Sequence, residues 1–400
     1  MRWFTPAQSN ASEIISVPTE QKAAPLASMF AISGQGQAVW SPDDYASLAR
    51  NGFMKNPVVH RCVRLIAETA AAIPLLAYQD AQELDEHPIL KLLSRPNSNQ
   101  SGTEFLEALI GQLLVGGNAY VEMIAIEDEP RELYALRPDR VKVLADRQGW
   151  VEGYEYSSTR GKTRLMVDVV GRSPVLHLTL FNPLDDHYGF AHLRAALMAL
   201  DMHNSANAWN KALLDNSARP SGALVYSGKE GTNLTDDQFD RLKQELEAGY
   251  TGSRNAGRPM LLEGGLDWKA MGYSPRDMDF IDARNGAARD IALAFGVPPM
   301  LLGIPGDNTY SNYQEANRAF ARQTVLPLIR RTVDAMGNWL AQRYEEPVRL
   351  AIDDDRVEGL SAERDALWKR LAAAEFLDDD EKREALGYSP RQPARSGGGA

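Results

Sequence analysis

Cysteine is nearly absent: Cys62 is the only one in 400 residues, so neither an internal disulfide nor a cysteine-cluster zinc site can form. That scarcity fits a reducing compartment. Histidine is also scarce, with 6 scattered residues, and no constellation for acid–base catalysis emerges from them. No window approaches the roughly 18 consecutive apolar residues that a membrane-spanning helix needs. The longest apolar stretches, such as Ala70 to Ala77, are short and broken by Pro74. The start, Met1-Arg2-Trp3-Phe4-Thr5-Pro6, lacks an apolar core segment, so a secretory signal is not expected. Positive charge is in deficit: 43 Lys and Arg stand against 54 Asp and Glu, a formal net charge of −11. A whole-molecule electrostatic clamp on DNA phosphates is therefore not expected.

What remains is an ordinary globular composition, 44% hydrophobic, 8% aromatic and 24% charged. It is enough for a sizeable core and roughly two to three domains. Catalytic motifs are missing. Gly161-Lys162-Thr163 looks like the end of a phosphate loop, but the position that needs the first glycine is Tyr156, so a hairpin turn is expected instead. Neither G-x-S-x-G nor H-E-x-x-H occurs. Asp185-Asp186-His187 with His192 reads as a polar loop ahead of a helix. Asp353-Asp354-Asp355 reads as a solvated turn after a strand rather than a cation site. Cys62 lies among Val59, Val63 and Ile66 and reads as core rather than nucleophile. No enzyme, cofactor or metal site is expected.

The organisation along the chain is more informative. Residues 1–40, rich in Ser, Gln, Ala, Gly and Pro, read as a loose arm. Ser41-Pro42 and Asn56-Pro57 look like two helix starts, each a cap followed by proline. Ser101-Gly102-Thr103-Glu104 matches a capping box, and Gly116-Gly117-Asn118 ends that helix. Strands are expected at Leu75–Tyr78, Ala119–Ile124, Val141–Leu144, Gly153–Tyr156 and Val175–Leu180, an α+β region with an antiparallel meander. From Phe190 to Ala218 no Gly or Pro intervenes, which predicts one helix of about 42 Å. Its middle, His203-Asn204-Ser205-Ala206-Asn207, is polar nearly all round, so lateral packing against other subunits is expected there. Strand–helix–strand–strand signals fill 219–275. Asp277–Phe295 is helical, Gly303–Ser311 is a polar loop, and Asn312–Tyr344 is a long helix that Pro327 should kink. Pro347–Ile352 reads as a strand, and two acidic helices close the pattern before a glycine-rich end.

This order carries a resemblance. Asn56-Pro57-Val58-Val59-His60-Arg61-Cys62-Val63 comes first, then His87-Pro88-Ile89-Leu90 and Arg95-Pro96-Asn97. Leu114-Val115-Gly116-Gly117-Asn118-Ala119-Tyr120 and Leu136-Arg137-Pro138-Asp139-Arg140-Val141 follow. Next are Asn255-Ala256-Gly257-Arg258-Pro259-Met260-Leu261-Leu262 and Ile291-Ala292-Leu293-Ala294-Phe295-Gly296-Val297-Pro298-Pro299, and last Tyr310-Ser311-Asn312-Tyr313. Each is weak alone. In this order and spacing the chain, from about 56 to 345, resembles the portal proteins of tailed bacteriophages in the compact siphophage-type branch. Whether the source is a phage, a prophage or a gene-transfer agent stays open. So does a second reading, another oligomeric head–tail structural protein.

The resemblance implies an α+β portal fold and a division of the chain. It gives an N-terminal arm (1–40), a wing (41–189), a stem helix (190–218), a clip (219–276) and a second stem helix (277–297). A tunnel loop, kinked tunnel helix and wing strand follow (298–354), then a short crown and tail (355–400). It implies a homo-oligomeric ring, usually of twelve, at one capsid vertex. Double-stranded DNA would pass without sequence preference. The implied partners are the terminase large subunit, a head–tail adaptor and the major capsid protein; a membrane is not among them. The implied location is the virion, with assembly in the host cytoplasm. Gly306, Asp307, Asn308, Thr309, Tyr310 and Ser311 would face DNA as the tunnel loop. Asp236, Asp237, Arg241, Glu245 and Arg254 would sit on the clip that docks motor and adaptor. Arg318, Arg322, Arg330 and Arg331 have two readings, toward DNA or toward acidic groups of a neighbouring subunit. The net charge of −11 suits a conduit, since a basic bore would hold DNA still. With no nucleotide-binding motif in the chain, the energy for movement would come from a separate motor.

Overall fold

The computed structural model describes residues 40–80, 82–215, 222–226, 235, 237, 238, 240, 241, 244, 266–270, 280–306, 310–386 and 388. The expected N-terminal arm and the expected strand Pro259–Leu262 lie outside them.

The first helical turn, Tyr45–Ser47, is capped by Asp44, whose carboxylate accepts from the Ser47 N–H at 3.0 Å. The expected cap was Ser41. Its hydroxyl and N–H go instead to Asp201, at 2.6 and 2.9 Å, a partner 160 residues away that no local pattern reveals. Helix α1 (Pro57–Ala71) starts as expected: the Asn56 side-chain oxygen accepts from the Val58 and Val59 N–H groups, and Pro57 opens the first turn. Its buried face, Val59, Cys62, Val63, Ile66, Ala67 and Ala70, repeats at helical spacing. Cys62 has no exposure, and burial pushes its thiol up to about 12, which makes it core.

Strand β1 (Leu75–Gln79) and β2 (Gln82–Leu84) lead to helix α2 (Pro88–Ser94) and helix α3 (Gly102–Gly116). The capping box on Ser101 and Glu104 is present in both directions, and Gly117 closes α3 with φ 75°, a left-handed conformation that glycine takes without strain. Strands β3 (Asn118–Ile126), β4 (Glu129–Leu136), β5 (Val141–Ala145), β6 (Val151–Ser158), β7 (Gly161–Met166) and β8 (Val175–Thr179) follow. They do not make one meander. β5-β6-β7 is a meander sheet, but β8 returns to pair with β3, giving a second sheet of order β4-β3-β8. Gly161, at φ 137°, sits at the β6–β7 turn, where Lys162 pairs with Glu155 at 2.8 Å. The lysine is therefore part of a hairpin rather than a phosphate loop.

Phe190–Ala218 is not one helix. A single turn, His192–Ala195, ends at Ala196 (φ −103°, ψ 17°), and helix α4 (Leu197–Asp215) begins after it. The polar middle of α4 also differs from expectation. His203 is only 5% exposed and Asn56 1%. Asn56 Nδ2 lies 3.0 Å from His203 Nδ1 and donates to Asn204 Oδ1 at 2.9 Å, and Asn204 Nδ2 donates to the Asn51 carbonyl. The polar residues are thus satisfied within the chain by the loop that caps α1, and sequence spacing gives no sign of that pairing. Replacing Asn56 with leucine removes the cap, takes the donor from half-buried Asn204 Oδ1 and leaves buried His203 Nδ1 with Asn207 Nδ2 at 3.2 Å as its remaining partner. The expected loss is about 3 kcal/mol of stability. Chemical denaturation of the variant checks this; a loss below about 1 kcal/mol would show that the network is not under stress.

Strands β9 (Gly222–Tyr226) and β10 (Leu266–Ala270) form an antiparallel ribbon. Thr235 and Gln238 exchange the two hydrogen bonds of the expected helix cap. Helix α5 (Phe280–Ala294) and helix α6 (Tyr310–Phe320) precede a wider, π-type turn at Ala321–Val325, in which the Leu326 N–H reaches back five residues to the Ala321 carbonyl. Helix α7 (Leu326–Ala341) continues from it with Pro327 in its first turn. The irregularity expected at Pro327 therefore falls one turn earlier. A proline offers no N–H and crowds the carbonyl four residues back, and the wider turn makes room for both. Strand β11 (Arg349–Ile352) pairs with β1, and the small helices α8 (Ser361–Ala372) and α9 (Asp379–Ala385) follow. One large apolar cluster joins α1, α3, α4, α5 and α7 to β1, β3 and β11. A smaller one, with Tyr120, Val143 and Tyr154, lies between the sheets β4-β3-β8 and β5-β6-β7.

Candidate functional site

The loop after α5 is built from helix-end chemistry. The helix stops at Gly296 (φ 66°), whose carbonyl accepts from the Thr324 hydroxyl at 2.6 Å, tying the end of α5 to the π-type turn. A Cβ on Gly296 would meet that hydroxyl at 2.8 Å. Residues Pro299–Leu302 make one tight turn closed by Gly303 at φ 71°. Arg289 of α5 then donates from Nη2 to the Pro305 carbonyl, and a Cβ on Gly306 would come 2.9 Å from the same nitrogen. The base of the loop is thus held by the preceding helix, with Gly306 exposed beyond it. Asp307, Asn308 and Thr309 lie outside the described residues. Tyr310 and Ser311, expected in the loop, belong to the first turn of α6. Their polar composition reads as loop, but the helix starts two residues earlier than the expected Asn312.

The four arginines all find partners inside their own chain. Glu363 of α8 takes Arg318 at 2.9 Å and Arg322 at 3.2 Å, one on each side of the π-type turn's start. Glu315 adds a second contact to Arg318 at 3.2 Å. Arg330 pairs with Asp354 at 2.6 Å, and Arg331 donates to the Thr179 carbonyl. All three carboxylates of Asp353–Asp355 are thus spent on arginine, since Asp353 pairs with Arg356 at 3.8 Å and Asp355 with Arg364. Neither expected reading, DNA nor a neighbour, named an intrachain acid. These pairs are partly exposed, so each contributes little to stability; what they do is lower the free positive charge along the helix. Arg289, Thr324 and Glu363 were not legible as important, because each acts through a partner remote in sequence.

Of the residues expected on a clip, Asp237 and Arg241 are exposed on the helix that Thr235 caps, while Asp236, Glu245 and Arg254 lie outside the described residues. Helices α4 and α5 lie side by side, burying Leu200, Ala287 and Ile291. Met198, Met202, Ile281 and Leu293 stay exposed, an apolar complement that a lone chain leaves uncovered.

A mixed fold with paired long helices, a ribbon between them and a glycine-flanked loop ahead of a broken helix defines a class, and the comparisons name it. The sequence matches the family described as phage portal protein over residues 57–387, and the chain belongs to that family. It is similar to a chain in the neck of an empty GTA particle computed with C6 symmetry: 52% identical, covering 90% of this chain and 98% of that one, TM-score 0.70. A chain in the neck of a native GTA particle computed with C12 symmetry is 51% identical, with 90% and 97% covered and a TM-score of 0.68. The portal protein of Enterobacteria phage HK97 is 24% identical over 83% of this chain and 78% of its own length.

Proposed function

We propose that this chain is the subunit of a portal ring that stands at one capsid vertex and passes double-stranded DNA through its axis in both directions. The observation that carries the reading is the match, at 52% identity over 90% of this chain, to a chain in the neck of a GTA particle computed with C6 symmetry. The uncovered apolar residues on α4 and α5 support it, because a ring subunit must keep two surfaces for its neighbours. The overall charge of −11, with Arg318, Arg322 and Arg330 occupied by acids of the same chain, supports a bore that does not grip phosphate. The short loop with its base held by Arg289 is the segment proposed to touch the duplex, repeated once per subunit. On this reading the clip meets the terminase large subunit during packaging and the head–tail adaptor afterwards. The outer surface meets the major capsid protein in the host cytoplasm during assembly. The subunit itself performs no chemistry.

Two measurements test it together. Particle mass should reach about 530 kDa for twelve copies of the 44.2 kDa chain. A variant lacking residues 306–309 should assemble to the same mass but fail to fill heads with DNA. Normal filling would remove the loop from the mechanism, and a monomeric mass for the parent chain would remove the ring.

A further inference from the structure

The outward face of α4 carries a regular seam. Met198, Met202, Ser205, Trp209 and Ala212 stand four, three, four and three residues apart, the repeat by which one helix packs along another. Met198 is 63% and Met202 50% exposed, so the described residues leave the large side chains of the seam largely uncovered. The other side of α4, with Leu200, His203 and Ala206, is buried within the chain.

Helix α5 has an outward face of its own. Ala283, Asp290 and Leu293 are exposed on it, with Gly286 among them. Gly286 has no positive φ, and nothing lies within 4 Å of the Cβ it lacks. A glycine inside a helix costs about 0.5–1 kcal/mol relative to alanine. Among the described residues nothing approaches closely enough to require it; a large side chain arriving from outside would.

The register of the two helices says which residues stand level. His192 stacks on Phe295 at 6.1 Å, and His203 is close enough to Arg284 to feel its charge. Eleven residues separate the two histidines and eleven separate Phe295 from Arg284, so the helices run antiparallel, one residue up for one residue down. Met202 is therefore level with Asn285 and Gly286, and Met198 falls midway between Gly286 and Leu293. With these helices standing along the axis of a ring, rotation from one subunit to the next keeps every residue at its own height. The α5 of a neighbour then meets the α4 seam in this same register, a large side chain on one helix opposite a missing one on the other.

We propose that Met202 of one subunit seats on Gly286 of the next, with Met198 packed beside Leu293, so that α4 and α5 alternate around the ring. The occupant of each face is a second copy of this chain, and the inference rests on the ring reading above. The two faces differ, as a heterologous contact that closes into a circle requires.

A disulfide trap on the full chain tests the contact. Met202→Cys and Gly286→Cys, combined, should give a ladder of covalent oligomers on a non-reducing gel after mild oxidation, absent from either single variant. The two positions face opposite ways within one chain, and native Cys62 is buried and serves as the silent background. An exchange of large for small tests the register. Met202→Ala leaves a void and Gly286→Leu overfills the seat, so each alone should raise the concentration for half-assembly about tenfold, read from particle mass. Combined, they should return it to within about threefold of the parent, because the side chain is only moved across the contact. Intact rings that give no ladder, or a double variant as weak as its two singles added together, would overturn this contact and leave the ring standing. A parent chain that stays monomeric would remove the ring reading and this contact with it.

Discussion

Gly189→Val is expected to cost about 3 kcal/mol or more and to leave little folded protein at 37 °C. Two backbone segments cross here with no room for a side chain. A Cβ on Gly189 would lie 2.0 Å from the Gly117 carbonyl oxygen and 2.7 Å from the Leu180 nitrogen, and neither is a flexible side chain able to swing away. The same crossing carries the hydrogen bonds that join α3, β3 and β8. The Leu180 N–H donates to the Gly117 carbonyl at 2.8 Å, and the Gly189 N–H to Asn118 Oδ1 at 2.8 Å. Inserting methyl groups therefore forces the segments apart and leaves buried polar groups unpaired, and each effect alone costs about 1–3 kcal/mol. Thermal unfolding followed by circular dichroism reads the result. A melting temperature within about 2 °C of the parent would show that the crossing can relax. Gly286→Ala serves as control for losing a glycine without a clash, because its φ is not positive and nothing lies within 4 Å of its added carbon.

Acidification from pH 7 to pH 4.5 is expected to destabilise the chain, with His177 making the largest single contribution. Its ring stacks on Tyr120 at 4.2 Å and meets Tyr154 edge-on, and its Nε2 lies 3.1 Å from Asn118 Oδ1. Burial lowers its proton affinity to about 4, and His187 adds repulsion. His192 and His203 are lowered as well, both chiefly by burial. Unfolded histidine binds its proton near pH 6.5. Above that, both states are neutral and the full stability is present. Between about 6.5 and 4 the unfolded state takes up protons that the folded state refuses, so stability falls with pH, by roughly 3 kcal/mol for His177 over the whole window. Carboxylates held low by partners, such as Asp128 between Arg172 and Arg343, act in a lower range and add nothing here. Denaturant unfolding at pH 7 and 4.5 measures the slope, and His177→Asn should flatten it. Equal stability of the parent chain at both pH values would refute the assignment.

Much of the secondary structure was legible, because it follows local rules. The Asn56-Pro57 start, the Ser101–Glu104 capping box and the Gly117 stop each depend on atoms within four residues, and each stands as read. Two misplacements share a cause. Ser41 was drawn away from its own helix by Asp201, and the turn that accommodates Pro327 moved upstream, where the packed helix had room for it. The loop's outline was legible from its glycines, but its anchor Arg289 was not, because a carbonyl partner leaves no mark in a sequence.

The sequence by itself determined the helix starts and stops, the alternation of the strands, the shortage of positive charge and the order of motifs that places the chain among portal proteins. Those properties depend on neighbours along the chain or on totals over it. Only the tertiary structure decided that the polar middle of α4 packs against Asn56, that three of the four arginines answer to acids of their own chain and Arg331 to a backbone carbonyl, and that the Gln112 side-chain oxygen is buried without a donor among the described residues. These are pairings across tens to hundreds of residues. Their energies come from desolvation and geometry at the point of contact, and residue spacing holds no information about either.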